Sequence, residues 1–376
     1  MDFKSLFKLR GELSKTNNLI LGIVGLILLI LVWWFLAEAF SIKRPVVDGF
    51  NKELPSSLDR SPENLARIDS IVRADSLALA SATEFVTVYP LLPRPDKVVK
   101  AFSPLISNDS VWKNTIKSVW LNLQGYLWAI LISIPFGFII GLYPLFRGLF
   151  SNQVDAMRYL PLTALTGMFI IWFGIDDEMK VAFLAFGIIV YLLPVVAQRV
   201  KEVDDVYTKT VFTLGASNWQ MIKSVYIPSV MSKVMDDIRV LTAISWTYII
   251  IAELINRSDG IGGLIYIKER LGQIDRVFAI LIIIILIGFI QDRIFVYLDK
   301  RLIPYKQNNA LLPGIKEAQL GIYTMIAFLF LTVILGTIVN LSAISWWFIL
   351  PVILFSALVI ILFGEWKIFK TKAAHA

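Results

Sequence analysis

Long apolar runs separated by shorter polar segments set the pattern of this chain. Runs at 19–40, 115–143, 159–173, 179–198, 237–255, 277–296, 320–339 and 344–363 carry few charges. About 20 consecutive apolar residues cross the hydrocarbon core as a helix. The pattern therefore predicts about eight transmembrane helices in an all-α, polytopic membrane protein. The first run is too long and starts too late for a signal-peptide core, so it reads as an uncleaved span. Gly137 and Gly141 in the second run form a G-x-x-x-G pair that lets helices approach closely, and Pro135 predicts a kink. The run at 159–173 is short and contains Pro161 and Gly167.

The polar segments divide the chain further. Residues 1–40 form a basic lead and the first span, 41–114 a long polar segment, 115–304 the main bundle, and 305–376 two extra spans with a tail. Within 41–114, Ser61-Pro62-Glu63 has N-cap and first-turn signals. Leu65, Ile68, Val72 and Leu79 continue them as a helical stripe. Pro90, Pro93 and Pro95 predict a stiff extended linker. After 255, Gly260 and Gly262 predict a turn leading into a short helix over 261–271.

One polar stretch, 204–228, lies between two spans and predicts two short helices. Asp204 and Asp205 supply N-cap oxygens and negative charge. Gly215 stops the first helix in a left-handed C-cap. Ser217 and Gln220 stand at capping-box spacing for the second, and Pro228 is expected to end it. A compact helix–turn–helix exposed between spans suits docking to a soluble partner. A DNA-binding helix–turn–helix or an ordinary amphipathic hairpin would share the pattern, but neither needs membrane spans on both flanks.

Those residues also resemble a known family. Leu214-Gly215-Ala216-Ser217, followed by Val225, Ile227 and Pro228, resembles the cytoplasmic loop of ABC importer permeases, E-A-A-x-x-x-G, nine residues, then I-x-L-P. Lys209, Thr210 and Val211 stand where that family has Glu, Ala and Ala. Leu92-Pro93-Arg94-Pro95, Ile134-Pro135-Phe136-Gly137, Trp172-Phe173-Gly174-Ile175 with Lys180, and Ala252-Glu253 with Gly260–Ile265 are similar, in order, to further motifs of the nitrate, sulfonate, taurine and bicarbonate branch. The resemblance covers about 92–304 and implies a type I-like permease core with 204–228 as its ATPase-docking loop. It also implies cytoplasmic ATPase subunits that hold ATP and Mg²⁺, an extracytoplasmic solute-binding protein and a second permease copy in a homodimer. The solute it implies is a small oxyanion or organosulfonate. A membrane complex of the same family that transmits force or a signal without moving solute is the alternative, which the extra spans and the long outer segment would suit.

Composition sharpens this picture in three places. The chain is 57% apolar, with a mean hydropathy of +0.71, well above a soluble domain. Its net charge of +7 is better explained by cytoplasmic loops and anionic headgroups than by nucleic acid. With the N-terminus inside and eight spans, the inside segments hold eighteen Lys or Arg and the short outside segments five. Both termini and 204–228 are then expected to be cytoplasmic, in a cell inner membrane.

Catalytic chemistry is hard to find. There is no cysteine and only one histidine, His375, which excludes Cys-based and His-based catalytic or metal sites. No phosphate-binding G-x-x-x-x-G-K-[ST] loop occurs, so ATP and Mg²⁺ are expected on a partner and no cofactor on this chain. The remaining candidates are polar groups inside spans. Arg239, Thr242, Ser245, Ile249 and Glu253 are candidates for a translocation path. Arg239 and Glu253 are about 21 Å apart along one helix and do not pair there. The alternatives are snorkelling of the two charges and packing of the hydroxyls against a neighbouring helix, a reading that also applies to Asn122 and Gln124.

Overall fold

The structure is a computed structural model and describes residues 13–45, 70, 73, 85–256, 259–307, 313–339 and 345–374. The predicted helix after Ser61 and the tail residue His375 lie outside the described residues. The chain divides into two compact units, residues 1–109 with 268–281, and residues 110–267 with 282–376.

The first unit opens with α1 (Lys15–Ala39), whose Ser14 side chain caps Asn17 N–H. The span-length window of this helix is unburied along its length, as expected of a surface solvated by lipid. A two-stranded antiparallel ribbon follows, β1 (Ile42–Pro45) and β2 (Phe85–Val88), with Ile42 opposite Val88. It is the one β element among the described residues. Helix α2 (Pro95–Ser107) starts with Pro at its first turn. There the ring's fixed φ and missing N–H cost nothing, so Pro95 opens a helix where a linker was expected. The Trp33 indole N–H donates to the Pro93 carbonyl at 3.0 Å, and the Arg94 guanidinium covers the Trp34 ring at 4.6 Å. Asp109 takes bonds from Lys268 (2.6 Å) and Arg276 (2.9 Å).

The second unit is helical among its described residues. Helix α3 (Val111–Leu142) runs unbroken through Pro135. Then come α4 (Pro144–Met157), a 3₁₀ turn (Leu162–Leu165), α5 (Thr166–Phe173) and α6 (Asp177–Lys201). Next are α7 (Asp205–Thr213), α8 (Asn218–Met221), a π turn (Ile222–Tyr226) and α9 (Ile227–Asn256). Helices α10 (Ile261–Arg270) and α11 (Ile274–Leu302) follow, each with residues assigned to both units. The chain closes with α12 (Ile315–Val339) and α13 (Ser345–Ala374). Seven helices among the described residues are long and apolar enough to cross a membrane, or eight if one bent pair counts as a span.

That bent pair corrects the third predicted span. The run at 159–173 is not a straight helix: Pro144–Met157 and Leu162–Phe173 meet at 94°. The latter has twelve residues, about 18 Å at α-helical rise, against a core of about 30 Å. Pro161 cannot continue a helix from Met157, so the polar segment before it folds as α4 and the two pieces turn on Arg158–Pro161.

The glycine pair in α3 serves the close approach its spacing predicts. A Cβ on Gly137 would lie 2.6 Å from Val196 Cβ, and one on Gly141 2.5 Å from Val200 Cβ. Gly141→Val should overpack this α3–α6 seam and destabilise the fold by about 1–3 kcal/mol. Gly148, which has nothing within 4 Å of a built Cβ, should accept Ala without loss, since Ala is the better helix former. Thermal unfolding of the two purified variants checks the contrast. Equal midpoints would count against the seam.

Candidate functional site

The polar loop between α6 and α9 is built from local signals. Asp204 Oδ1 accepts from Val206 N–H at 2.8 Å and starts α7. The helix ends in a Schellman turn. Gly215 N–H donates to Phe212 O at 2.9 Å, and Ala216 N–H to Val211 O at 3.3 Å, which is the double bond pattern that satisfies a helix's last carbonyls. Gly215 sits at φ +80°. The capping box forms: Ser217 N–H donates to Gln220 Oε1 at 2.8 Å, and Gln220 N–H to Ser217 Oγ at 3.3 Å. Lys209 pairs with Asp205 only loosely, at 3.7 Å on an open surface, and the Thr210 hydroxyl bonds back to Val206 O.

Pro228 does not end the second helix. The run Asn218–Ile255 is continuous over 38 residues. The π turn at Ile222–Tyr226 makes this possible, because Ile227 N–H reaches back five residues to Ile222 O. That widened turn shifts the hydrogen-bond register ahead of the proline, whose missing N–H and ring would otherwise strain a regular helix. What sequence reasoning gives as two short helices is one short helix and the first turns of a long span.

The base of the loop is stapled and its tip is bare. Arg199 at the end of α6 forks onto Asp237 of α9 with two bonds of 2.8 Å, and also holds Glu202 at 2.8 Å. Lys233 reaches Glu202 at 3.3 Å. The Arg199 hydrogen bond is the main cause that keeps the Glu202 carboxyl below its ordinary range. From beyond α11, the Tyr305 hydroxyl donates to the Pro228 carbonyl at 2.8 Å, and Lys306 pairs with Asp236 at 2.7 Å. By contrast, Leu214 is 81% exposed and Phe212 and Trp219 68% each, with Val206 and Tyr207 exposed beside them.

The candidates on α9 lie elsewhere and are already occupied. Thr242, Ser245, Ile249 and Glu253 are buried. Ser245 Oγ accepts from Asn122 Nδ2 at 3.1 Å and donates to Thr242 O at 2.7 Å. Ser245 thus knits α9 to Asn122 of α3, while the Thr242 hydroxyl bonds back to Ile238 O of its own helix. Gln124 makes no such contact among the described bonds. Arg239 is held by two bonds to Asp292 of α11, 2.5 and 3.0 Å. The forked carboxylate offsets its charge, so Arg239 does not stand as an open cation for a solute.

Glu253 does not snorkel. Its Oε1 accepts from the Ser118 hydroxyl at 2.5 Å and its Oε2 from Gly262 N–H at 2.8 Å. Ser118 Oγ in turn accepts from Ile261 N–H at 2.8 Å, and Asn114 Oδ1 from Gly260 N–H at 3.1 Å. The first N–H groups of α10, which have no partner inside their own helix, are therefore satisfied by α3 and α9. Beside them, Lys117 bridges Asp177 (3.0 Å) and Asp259 (3.2 Å), and buried Lys180 joins Asp177 at 2.8 Å. Sequence reasoning had Glu253 and Lys180 as motif residues but missed this network, because Ser118 and Glu253 are 135 positions apart.

Residues 133–304 match a family described as binding-protein-dependent transport system inner membrane component. A putative ABC transporter permease protein of Methanocaldococcus jannaschii is 29% identical over 216 residues, 56% of this chain and 81% of that protein. The taurine transport system permease protein TauC of Escherichia coli is 25% identical over 219 residues, 57% and 80%. A putative aliphatic sulfonates transport permease protein SsuC of Bacillus subtilis is 24% identical over 218 residues, 58% and 79%.

Proposed function

We propose that the chain, which through residues 133–304 matches the inner membrane components of binding-protein-dependent transport and is similar to ABC transporter permeases, forms a solute pathway driven by a separate ATPase. The observation that carries the ATPase partner is the bare apolar tip of the 204–228 loop on a stapled base. Val206, Tyr207, Phe212, Leu214 and Trp219 offer it a contact, while the Arg199–Asp237 fork ties the loop to the ends of two spans. A push on α7 reaches α6 and α9 through that fork. Closure of paired ATPases on ATP would then bias two packings of the spans. A second permease copy completes the pathway, and a binding protein on the opposite side delivers the solute. The solute class is a small oxyanion or organosulfonate, the reading favoured by two relatives named for taurine and aliphatic sulfonates.

Reconstitution tests this. The chain, its ATPase and its binding protein in liposomes should take up taurine or another small sulfonate only with ATP. The chain purified alone should hydrolyse none. Binding-protein-stimulated ATP hydrolysis with no uptake of any solute would instead favour a complex that transmits force or signal.

Orientation follows separately. The chain has no cysteine, so single cysteines are clean reporters. Asn108→Cys should react with an impermeant thiol reagent on intact cells, and Lys209→Cys only after permeabilisation. The reverse pattern would invert the topology.

A further inference from the structure

The two spans beyond residue 304, outside the family match, are fastened to the end of α11. Helices α12 and α13 pack as a close pair. Ile315, Ala318 and Ile322 of α12 and Ala357 and Ile368 of α13 are buried. A Cβ on Gly321 would lie 2.7 Å from Ile361 Cγ1, and one on Gly364 2.6 Å from Ala318 N, so small residues let the two backbones approach closely. Lys367 adds a pair with Glu317 at 2.6 Å. Beside this seam, Glu365 takes three bonds from the last turns of α11. They come from Arg301 Nε at 2.6 Å, Arg301 Nη2 at 2.5 Å and the Tyr297 hydroxyl at 2.7 Å. Gln319 Nε2 donates to Arg301 O at 3.0 Å, one of the carbonyls that a helix end leaves without an intrahelical partner.

Directly after that attachment the chain forms a strap across α9. A 3₁₀ turn, Pro304–Gln307, follows α11. Its Tyr305 hydroxyl donates to Pro228 O at 2.8 Å, and Lys306 Nζ donates to Ser232 O at 3.3 Å and Asp236 Oδ2 at 2.7 Å. Positions 228, 232 and 236 are spaced by four and share one face of α9, so the turn lies along the first turns of that span. Lys306 also lies 3.4 Å from Asp299 of α11. This placement matters because helices bend at prolines and π turns. Pro228 stands just after the π turn Ile222–Tyr226, so α9 has both where the 204–228 loop meets the span. A displacement of α7 would be absorbed there as bending unless the start of α9 is held to something stiff.

We propose that the α12–α13 hairpin is a brace for this joint. It fixes the end of α11, the 304–307 turn fixes the start of α9 to α11, and the three move as one body when the loop is displaced. Glu365, Arg301, Tyr305 and Lys306 are positioning residues that act through α9 and not on the solute. The Arg199–Asp237 fork ties the same region to α6 but leaves α11 free, so the two attachments are not redundant. The proposal rests on the permease reading and adds to it the part that turns motion of the loop into motion of the spans. With the brace cut, hydrolysis bends the joint and moves less solute.

The test uses the full chain with its ATPase and binding protein in liposomes. It reads taurine uptake per ATP hydrolysed and hydrogen exchange of amides 229–236. Glu365→Gln keeps the side chain's shape and removes the charge that holds Arg301. Tyr305→Phe and Lys306→Met cut the strap itself. In each, ATPase association should persist, because the loop tip at Phe212, Leu214 and Trp219 is untouched. Uptake per ATP should fall at least about fivefold, and exchange at 229–236 should rise at least about threefold. Glu365→Asp, which retains a carboxylate, should lose less than Glu365→Gln on both readouts. Phe355→Leu, on the exposed face of α13, should change neither. Native exchange at 229–236 in all three variants, or increased exchange confined to 313–374, overturns the brace whatever the chain transports. Unchanged uptake per ATP in all three variants overturns it as well and leaves the permease reading standing. A native chain that neither associates with an ATPase nor takes up taurine removes the permease reading itself, and the exchange result then decides the brace alone.

Discussion

Gly215→Val should abolish co-purification of the ATPase while leaving the chain inserted and abundant. The argument starts from the backbone. Gly215 occupies φ +80°, where an L-residue's Cβ meets the following carbonyl at a cost of about 1–2 kcal/mol, and a β-branched residue fares worse. Space is not the problem, since nothing lies within 4 Å of a built Cβ. The penalty is conformational, so the Val variant relieves it by abandoning the left-handed turn. That breaks both Schellman bonds and redirects α7 away from Ser217. The spans do not depend on the turn, because the Arg199–Asp237 fork and the Tyr305–Pro228 bond hold its base. What is lost is the alignment of Phe212 and Leu214 with Trp219 across the turn, and with it the contact surface. Gly215→Asn, which tolerates this region, should retain docking. Lys209→Glu should be mild, because it exchanges a loose exposed pair for a repulsion with Asp205 worth a few tenths of a kcal/mol. Pull-down of the ATPase on each variant reads the series. Full binding by Gly215→Val would remove the loop from the mechanism.

The parts of this fold that were legible in the sequence are those set by neighbours in the chain. Span positions follow from apolar length. The caps at Asp204 and Ser217 and the turn at Gly215 need only residues within five positions. The misreadings share the opposite property. Pro228 ends a helix by local rules, but a π turn upstream re-registers the ladder and lets α9 continue. The segment before Pro161 carries Arg147, Asp155 and Arg158 and falls between two apolar runs, yet it folds as α4. Arg239 gave no sign of Asp292, 53 positions away. Pairings of that kind are decided by which helices pack, and a single sequence does not encode helix adjacency in any local pattern. The Gly137–Gly141 pair predicted a close contact but not that Val196 and Val200 would fill it.

The buried carboxylate of Glu253 carries the second large effect, and its two oxygens make a specific expectation. In Glu253→Leu, Gly262 N–H and the Ser118 hydroxyl lose their acceptor in a place where no side chain replaces it. Each buried polar group left unpaired costs about 1–3 kcal/mol. The start of α10 should therefore be destabilised by about 2–4 kcal/mol, roughly 30- to 1,000-fold in opening equilibrium. Glu253→Gln should be far milder. Its Oε1 still accepts from Gly262 N–H, and its Nε2 can donate to Ser118 Oγ, which continues to accept from Ile261 N–H. Gly260 gives an independent route to the same result. A Cβ at that position, φ +100°, would collide with the Glu253 carboxylate, so Gly260→Ala should open the same turn from the other side. Hydrogen exchange of amides 260–264 is the measurement. Leu at 253 and Ala at 260 should both raise exchange there while α3 and α9 amides stay protected, and Gln at 253 should remain within about tenfold of the native chain. Native-like protection of 260–264 in Glu253→Leu would mean that α10 is held by its packing alone and that the carboxylate is not its anchor.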